Sequence, residues 1–474
     1  MTTIYDEIVY PNPPFPFTQP NRLAVAAALF GRDYAPPEAC RVLEIGCGDG
    51  GNLIPMAAAF PGSEFYGFDL AASVIDSGRA MIAATGLTNI QLDALDLMDP
   101  GDIGQFDYVI AHGLYAWVPA PVQDGLMALI SRVLSPRGVA HVSYNTLPGC
   151  RIRQAVRDMT LAWLEGIDEP ARRLTEALAF LKVLAESYDE EVPAERAVAR
   201  HARRMLEQRP EVTFHDELGP EYNPVLVRDF IAHAGAHGLQ FLCEAEPPRI
   251  EPKVPKSESA RAVMSRAGGD VALAEQYSDI LNLESFRQSL LCRADPPVER
   301  RLDPSRLRAL HLAADLKPDP EGGFQGPLGA RIRTPDPRGT ALFERLAAAW
   351  PSTVPLSEVD EDIYPQLLDL HLNGVAELYA APRPVTPPGP RPRLWPVARA
   401  ELQAGRRQLT ARTHHQVALT DAEGLFFVSL LDGERTREQI ARDMAARIGA
   451  PAEAVAAGLE EHLARLGRAG VLDA

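Results

Sequence analysis

Lysine is nearly absent from this 474-residue sequence, whereas arginine is abundant. Four lysines occur, at 182, 253, 256 and 317, and residues 1–160 contain none. With 47 Lys and Arg against 64 Asp and Glu, the formal charge is -17. That balance excludes general nucleic-acid binding, because phosphate contacts require clustered cations. Cysteine is sparse too: five residues, at 40, 47, 150, 243 and 292, form no C-x-x-C pair and have no histidine at metal spacing. This excludes a disulfide scaffold and reads as reduced thiols of a cytoplasmic protein. No apolar run approaches the roughly 18 residues of a membrane span. Asp6 and Glu7 stand where a signal peptide carries bases, so no membrane insertion is expected. No repeat recurs at a solenoid period.

What is present concentrates in the first third. Val42-Leu43-Glu44-Ile45-Gly46-Cys47-Gly48-Asp49-Gly50-Gly51 reads as a strand, a tight glycine turn and a helix start, and Phe65-Tyr66-Gly67-Phe68-Asp69-Leu70 as a second strand ending in an acid. Bare backbone N–H groups and a helix N-terminus suit a ligand at the turn, and Asp69 can accept both hydroxyls of a ribose. Gly46, Gly48 and Gly51 also satisfy G-x-G-x-x-G, so a nicotinamide or flavin dinucleotide stays open. So does an α/β domain whose glycines merely make tight turns.

Three neighbours tilt the choice. Glu44 would repel a pyrophosphate but welcome a cationic amino acid or sulfonium. Asp96 and Leu97, ending the next strand unit, suit an adenine: the acid accepts from the exocyclic amine and the leucine packs on the ring. Phe106 to His112 is a buried strand reaching the same sheet edge, where ligands of open α/β sheets bind.

Four strand-end motifs in this order resemble the class I S-adenosylmethionine-dependent methyltransferases. The resemblance implies S-adenosyl-L-methionine as cofactor. Glu44, Gly46 and Gly48 would then line its methionine moiety, Asp69 and Leu70 hold the ribose and adenine, and Asp96 and Leu97 flank the adenine, with Cys47 also among the cofactor-binding residues and His112 at the pocket mouth.

Further segments resemble the bacterial methyltransferases that carry a regulatory domain, whose best-known members are the rickettsial protein-lysine methyltransferases acting on outer-membrane proteins. These are Tyr5-Asp6-Glu7, Tyr10-Pro11 and Pro14-Phe15, Asn52 to Pro55, His112 to Pro119, Tyr144 to Gly149, His215-Asp216-Glu217, Phe286-Arg287-Gln288 and Leu431-Asp432-Gly433. The likeness implies that Tyr5 and Tyr10 of an N-terminal arm reach the cofactor, that a homodimer forms, and that the acceptor is a protein lysine. Methylation of a small molecule is the main alternative, and non-enzymatic sensing of the cofactor a second.

The expected architecture is α/β. A Rossmann-like methyltransferase domain with an N-terminal arm (1–160) is followed by a helical middle or regulatory domain (161–300), a small helical or winged-helix-like domain (301–385) and a C-terminal domain (386–474). Asn21 to Phe30 reads as a short amphipathic helix, and 381–396, with seven prolines, as a stiff linker.

For the chemistry, an in-line displacement needs alignment in a dry pocket rather than a metal. Deprotonating a lysine at neutral pH costs about 4.6 kcal/mol, which desolvation in an aromatic channel offsets. Tyr115, Trp117, Tyr144 and Asn145 follow the strands where such a channel would lie, and His112 could relay the proton; Trp117 and Tyr144 as core residues are the competing reading. His233 and His237 have i, i+4 spacing but no acid follows at a zinc-site position, so a hydrogen-bonded helical pair is expected and no metal.

Overall fold

Val42 to Ile45 are buried without a break, the pattern of a parallel strand covered on both faces. This strand, β1 (Arg41–Ile45), lies inside a seven-stranded sheet with β2 (Glu64–Asp69), β3 (Ile90–Ala94), β4 (Phe106–Ala111), β5 (Leu134–Asn145), β6 (Leu239–Glu244) and β7 (Phe286–Arg293). The order is β3-β2-β1-β4-β5-β7-β6. Strands β1 to β5 run parallel, and β7 is antiparallel to both neighbours. Strand order reverses between β1 and β4, the switch point where open α/β sheets bind ligands. The computed structural model describes residues 10, 12–189, 191–253, 257–383, 385 and 387–473; Tyr5 lies outside them.

The sheet does not end at residue 160. Strands β6 and β7 come from the stretch assigned by sequence to a helical middle domain, with Asn145 of β5 paired to Phe286 of β7. Their pairing links residues far apart in the chain, which local periodicity does not register. Between β5 and β6 stand α5 (Arg151–Trp163), α6 (Pro170–Ser187), α7 (Pro193–Glu207), α8 (Pro210–Leu218) and α9 (Val227–Ala236). Proline opens three of them, where its missing N–H has no intrahelical partner to lose. Earlier in the chain come α1 (Pro20–Leu29), α2 (Leu53–Ala59), α3 (Ala72–Thr85) and α4 (Ala120–Val133), and α10 (Val271–Asn282) precedes β7.

Helix α1 is buried over all ten residues, so it is a central helix rather than an amphipathic one. Its polar positions are matched. Asn21 Oδ1 accepts from the backbone N–H of Ala381 at 2.7 Å, and Arg22 pairs with Glu377 at 2.9 Å. These contacts fasten the 301–383 unit, where strands 354–355, 311–313 and 377–379 form a small antiparallel sheet. The C-terminal unit has helices Pro396–Gln403, Ala422–Ser429, Arg437–Ile448 and Ala452–Ala469, with a hairpin of strands Gln408–Thr410 and Gln416–Ala418, so helices with a hairpin stand here, after the 301–385 stretch to which the sequence reading gave winged-helix character.

A charge cluster is buried where β6, β7 and α10 meet. Arg287 bonds Glu244 at 2.9 Å, Glu275 at 3.0 Å and Asp279 at 2.7 Å, all four residues no more than 3 % exposed. Asp279 also accepts from Thr146 Oγ1 at 3.1 Å, tying the cluster to the end of β5. All five cysteines are free thiols. Among the described residues no helix is long and apolar enough to cross a membrane.

Candidate active site

The carboxyl ends of β1, β2 and β4 open on a cavity of about 840 Å³. Gly46 and Gly48 of the turn line it with φ of +73° and +52°, values that non-glycine residues adopt only with strain. Gly51 is required for another reason: a Cβ there would lie 2.0 Å from the backbone oxygen of Asn12. The N-terminal arm crosses the turn at this point. Asn12 Nδ2 donates to Cys47 O at 2.7 Å, so this residue clasps the turn.

Asp69 lines the cavity from the tip of β2. Its Oδ2 accepts from the Gly48 N–H at 3.0 Å and its Oδ1 from the Ala71 N–H at 2.9 Å. A carboxylate has about four lone-pair sites, so these bonds fix its orientation and leave acceptor capacity. Leu70, Asp96 and Leu97 line the same side. Asp96 Oδ1 takes the Met98 N–H at 2.9 Å.

His112, Trp117, Asn145 and Tyr10 also line the cavity. The His112 ring lies 3.8 Å from that of Phe15, centroid to centroid. Burial, with His141 adding to it, pushes the imidazole down to about 3. A ring that weakly basic stays neutral at physiological pH and is poorly suited to relay a proton, which corrects that expectation. Tyr10 packs edge-on against His215 at 5.4 Å and hydrogen-bonds Asp216.

Four of the expected site residues stand behind the wall. Tyr115 and Tyr144 are 2 % and 1 % exposed and contribute to the core, not to a channel. Tyr144 stacks on Phe230 at 4.0 Å and bonds Ser289; Tyr115 bonds His233 at 2.8 Å. Cys47 is buried against Gly67, where a Cβ would meet its Sγ at 2.9 Å. Glu44 is buried too, accepting from Asn52 Nδ2 at 2.7 Å.

Asn52 is a junction. Its Oδ1 accepts from the Phe15 N–H at 2.8 Å and lies 2.8 Å from His414 Nε2 of the C-terminal unit. Nearby, Arg406 of that unit pairs with Asp49 of the turn at 2.8 Å. Arm, glycine turn and C-terminal unit are thereby fastened to one another beside the cavity.

Burial lifts the Glu44 carboxyl from its ordinary 4.5 to about 8, against the Asn52 bond, and its Oε2 has no hydrogen-bond partner among the described residues. An acid whose folded-state value is raised contributes full stability below its unfolded value and loses it as pH climbs toward the folded one. Glu44→Gln cannot ionise. Its melting temperature relative to the parent should therefore rise between about pH 5 and pH 8; a constant difference across that range would show that Glu44 does not titrate there.

The opposite wall was not found from sequence as a set. Arg153 of α5 lies over the rings of Trp117 and Tyr222, 5.1 and 5.0 Å from their centroids. It also pairs with Glu217 at 2.7 Å and Asp216 at 3.4 Å. A cation of the protein itself thus covers a face of Trp117, one of the rings expected to form an aromatic channel. Burial lifts Glu217 to about 7, with Arg153 opposing the shift. Its Oε2 is buried and without a hydrogen-bond partner among the described residues. His215-Asp216-Glu217 was conspicuous in the sequence, but nothing local aimed it at the turn some 170 residues earlier.

Family models match three parts of the chain: a methyltransferase domain over residues 43–140, a predicted methyltransferase regulatory domain over 209–293, and a PKMT C-terminal winged helix domain over 390–458. The uncharacterized protein RP789 of Rickettsia prowazekii is 31% identical over 326 residues, 66% of this chain and 57% of that protein. The chain therefore spans little more than half of that relative. RP028 of the same organism is 32% identical over 240 residues, 50% of this chain and 96% of that protein. Among solved structures, PKMT2 from Rickettsia typhi superimposes with a TM-score of 0.84 at 22% identity, over 98% of this chain and 100% of that one. Its complex with AdoHcy gives 0.85 at 23%, over 98% and 99%. This likeness is one of fold.

Proposed function

The chain belongs to the S-adenosylmethionine-dependent methyltransferases that carry a methyltransferase regulatory domain, and from that premise we propose that it methylates the side-chain amine of a protein lysine. The cavity suits the cofactor in kind. Gly46 and Gly48 leave bare backbone for its amino-acid end, Asp69 beside Leu70 offers a carboxylate to ribose hydroxyls, and Asp96 with Leu97 forms an acid and apolar pair for the adenine. When bound, the cofactor supplies an electrophilic methyl group on a positively charged sulfur.

The chain's own residues hold, shield and receive. Phe15 and His112 line one side of the cavity with two rings in close, tilted contact, apolar cover for a displacement that needs alignment in a dry pocket more than acid catalysis. Glu44, behind the turn, supports it through Asn52 and need not touch the cofactor.

The observation that carries the amine acceptor is the Glu217 Oε2 atom, buried at the cavity wall with no hydrogen-bond partner among the described residues, while Oε1 pairs with Arg153. An incoming ammonium satisfies such an acceptor, and a carboxyl held near 7 is matched to taking its proton at neutral pH. The fold of PKMT2 and the winged helix match agree with a protein substrate.

Labelled methyl groups should pass from S-adenosylmethionine into proteins of a cell-envelope extract and appear as methyl-lysine after acid hydrolysis. Label confined to the small-molecule fraction would replace this reading with metabolite methylation.

A further inference from the structure

Away from the cavity, one cluster among the described residues joins metal-binding side chains from two helices. Helix α9 carries His233, and His237 caps its end four residues later, so both imidazoles leave one face. No acid follows them in the sequence at a zinc-site position, but the fold brings one from another helix. Asp124 of α4 puts its Oδ1 2.8 Å from His237 Nε2 and 3.3 Å from His233 Nε2, and all three donor atoms lie within 4.8 Å of one another.

These distances suit a small divalent ion. Zinc arms of about 2.0–2.2 Å set neighbouring tetrahedral ligands about 3.3 Å apart, the separation already present between His233 and Asp124. The His237 contact would have to open by about 0.5 Å to match. The Asp124 side chain is 65% exposed, which leaves an entry path and room for water as a fourth ligand. The second nitrogen of His233 is also occupied: Nδ1 lies 2.8 Å from the Tyr115 hydroxyl. Such an outer partner fixes the ring and the tautomer that directs Nε2 at a metal. Tyr115 is itself held in the core against Phe230, 5.2 Å away edge-on.

We propose that Asp124, His233 and His237 bind a divalent transition metal of the zinc class and clip α4 to α9. Two imidazoles with one carboxylate favour Zn²⁺ and Co²⁺ over the all-oxygen preferences of Mg²⁺ and Ca²⁺. None of the three side chains lines the cavity, so the ion does not take part in the displacement. Its route to the site is Tyr115, which opens the short turn ending at Trp117 on the cavity wall. The clip holds that turn in place.

A metal-free hydrogen-bonded triad accounts for the same distances, so the test must separate the two. The full chain, without a histidine tag and stripped by chelator, would be titrated with Zn²⁺ against a chromophoric competitor, with Co²⁺ absorption reporting geometry. One ion per chain is expected, bound at least about tenfold more weakly by Asp124→Asn and His237→Ala. Tyr115→Phe should keep the stoichiometry and lose about tenfold in affinity, the usual cost of an outer partner. Zinc should raise the melting temperature of the parent and not of His237→Ala. Absent binding, or binding undiminished in His237→Ala, would overturn the proposal and leave an ordinary triad.

Discussion

Arg287→Met should cost about 3–5 kcal/mol of stability, the scale for stranding buried charges, and so remove a large share of the roughly 5–15 kcal/mol that holds a typical domain folded. The reason is the company Arg287 keeps. Its guanidinium serves Glu244, Glu275 and Asp279 in a site that water does not reach, and methionine would leave three acids without the cation that bonds them. Burial lifts Glu275 toward about 7 despite Arg287, so without the arginine these groups would have to take up protons to stay inside. Urea unfolding followed by tryptophan fluorescence should give a much lower midpoint. Adding Glu244→Gln, Glu275→Gln and Asp279→Asn to the same chain should recover part of the loss, because coupled charges are not additive. A single variant as stable as its parent would mean that the three acids are held neutral and do not depend on the Arg287 cation. The damage should also reach the cavity, since Asp279 holds Thr146 next to Asn145.

Asp69→Ala should weaken S-adenosylmethionine binding by about 1.5–3 kcal/mol, the scale of hydrogen bonds to a charged group, or roughly ten- to a hundredfold. Two losses combine. The carboxylate proposed for the ribose disappears, and the N–H groups of Gly48 and Ala71 lose the acceptor that fixes the turn. Asp69→Asn distinguishes them: its amide oxygen can still accept one N–H but carries no charge, so its affinity should fall between those of the parent and Asp69→Ala. Isothermal titration reads the difference. Equal affinity in all three chains would remove Asp69 from the cofactor assignment.

The parts of this molecule readable from sequence are those set by neighbours along the chain. Gly46, Gly48 and Asp69 declare themselves because strand, turn and strand follow one another within about thirty residues, and the cavity is lined by all three. What was not readable depends on which way a side chain points or on distant pairing. Tyr115 and Tyr144 sit at strand ends where an aromatic ring can face either cavity or core, and only the packing of Phe230 from α9 decides. Arg153 looks like any helical arginine until the fold lays it on Trp117. Strands β6 and β7 interrupt a stretch dominated by helices, and β5, to which β7 pairs, lies on the far side of α5 to α9. His233 and His237 were visible as a pair, but their acid is separated by over a hundred residues.

The Asn52 junction also sets a timetable for biosynthesis. Asn12, Phe15 and Asn52 leave the ribosome before His414, which follows Asn52 by 362 positions. At about 5–20 residues per second, synthesis of that interval takes roughly 20–70 s. Throughout it the nascent sheet has its glycine turn but not the clasp supplied by Arg406 and His414. The junction beside the cavity is therefore closed only after the C-terminal unit has emerged and docked, while the residues that line the cavity itself are all synthesised by Phe286.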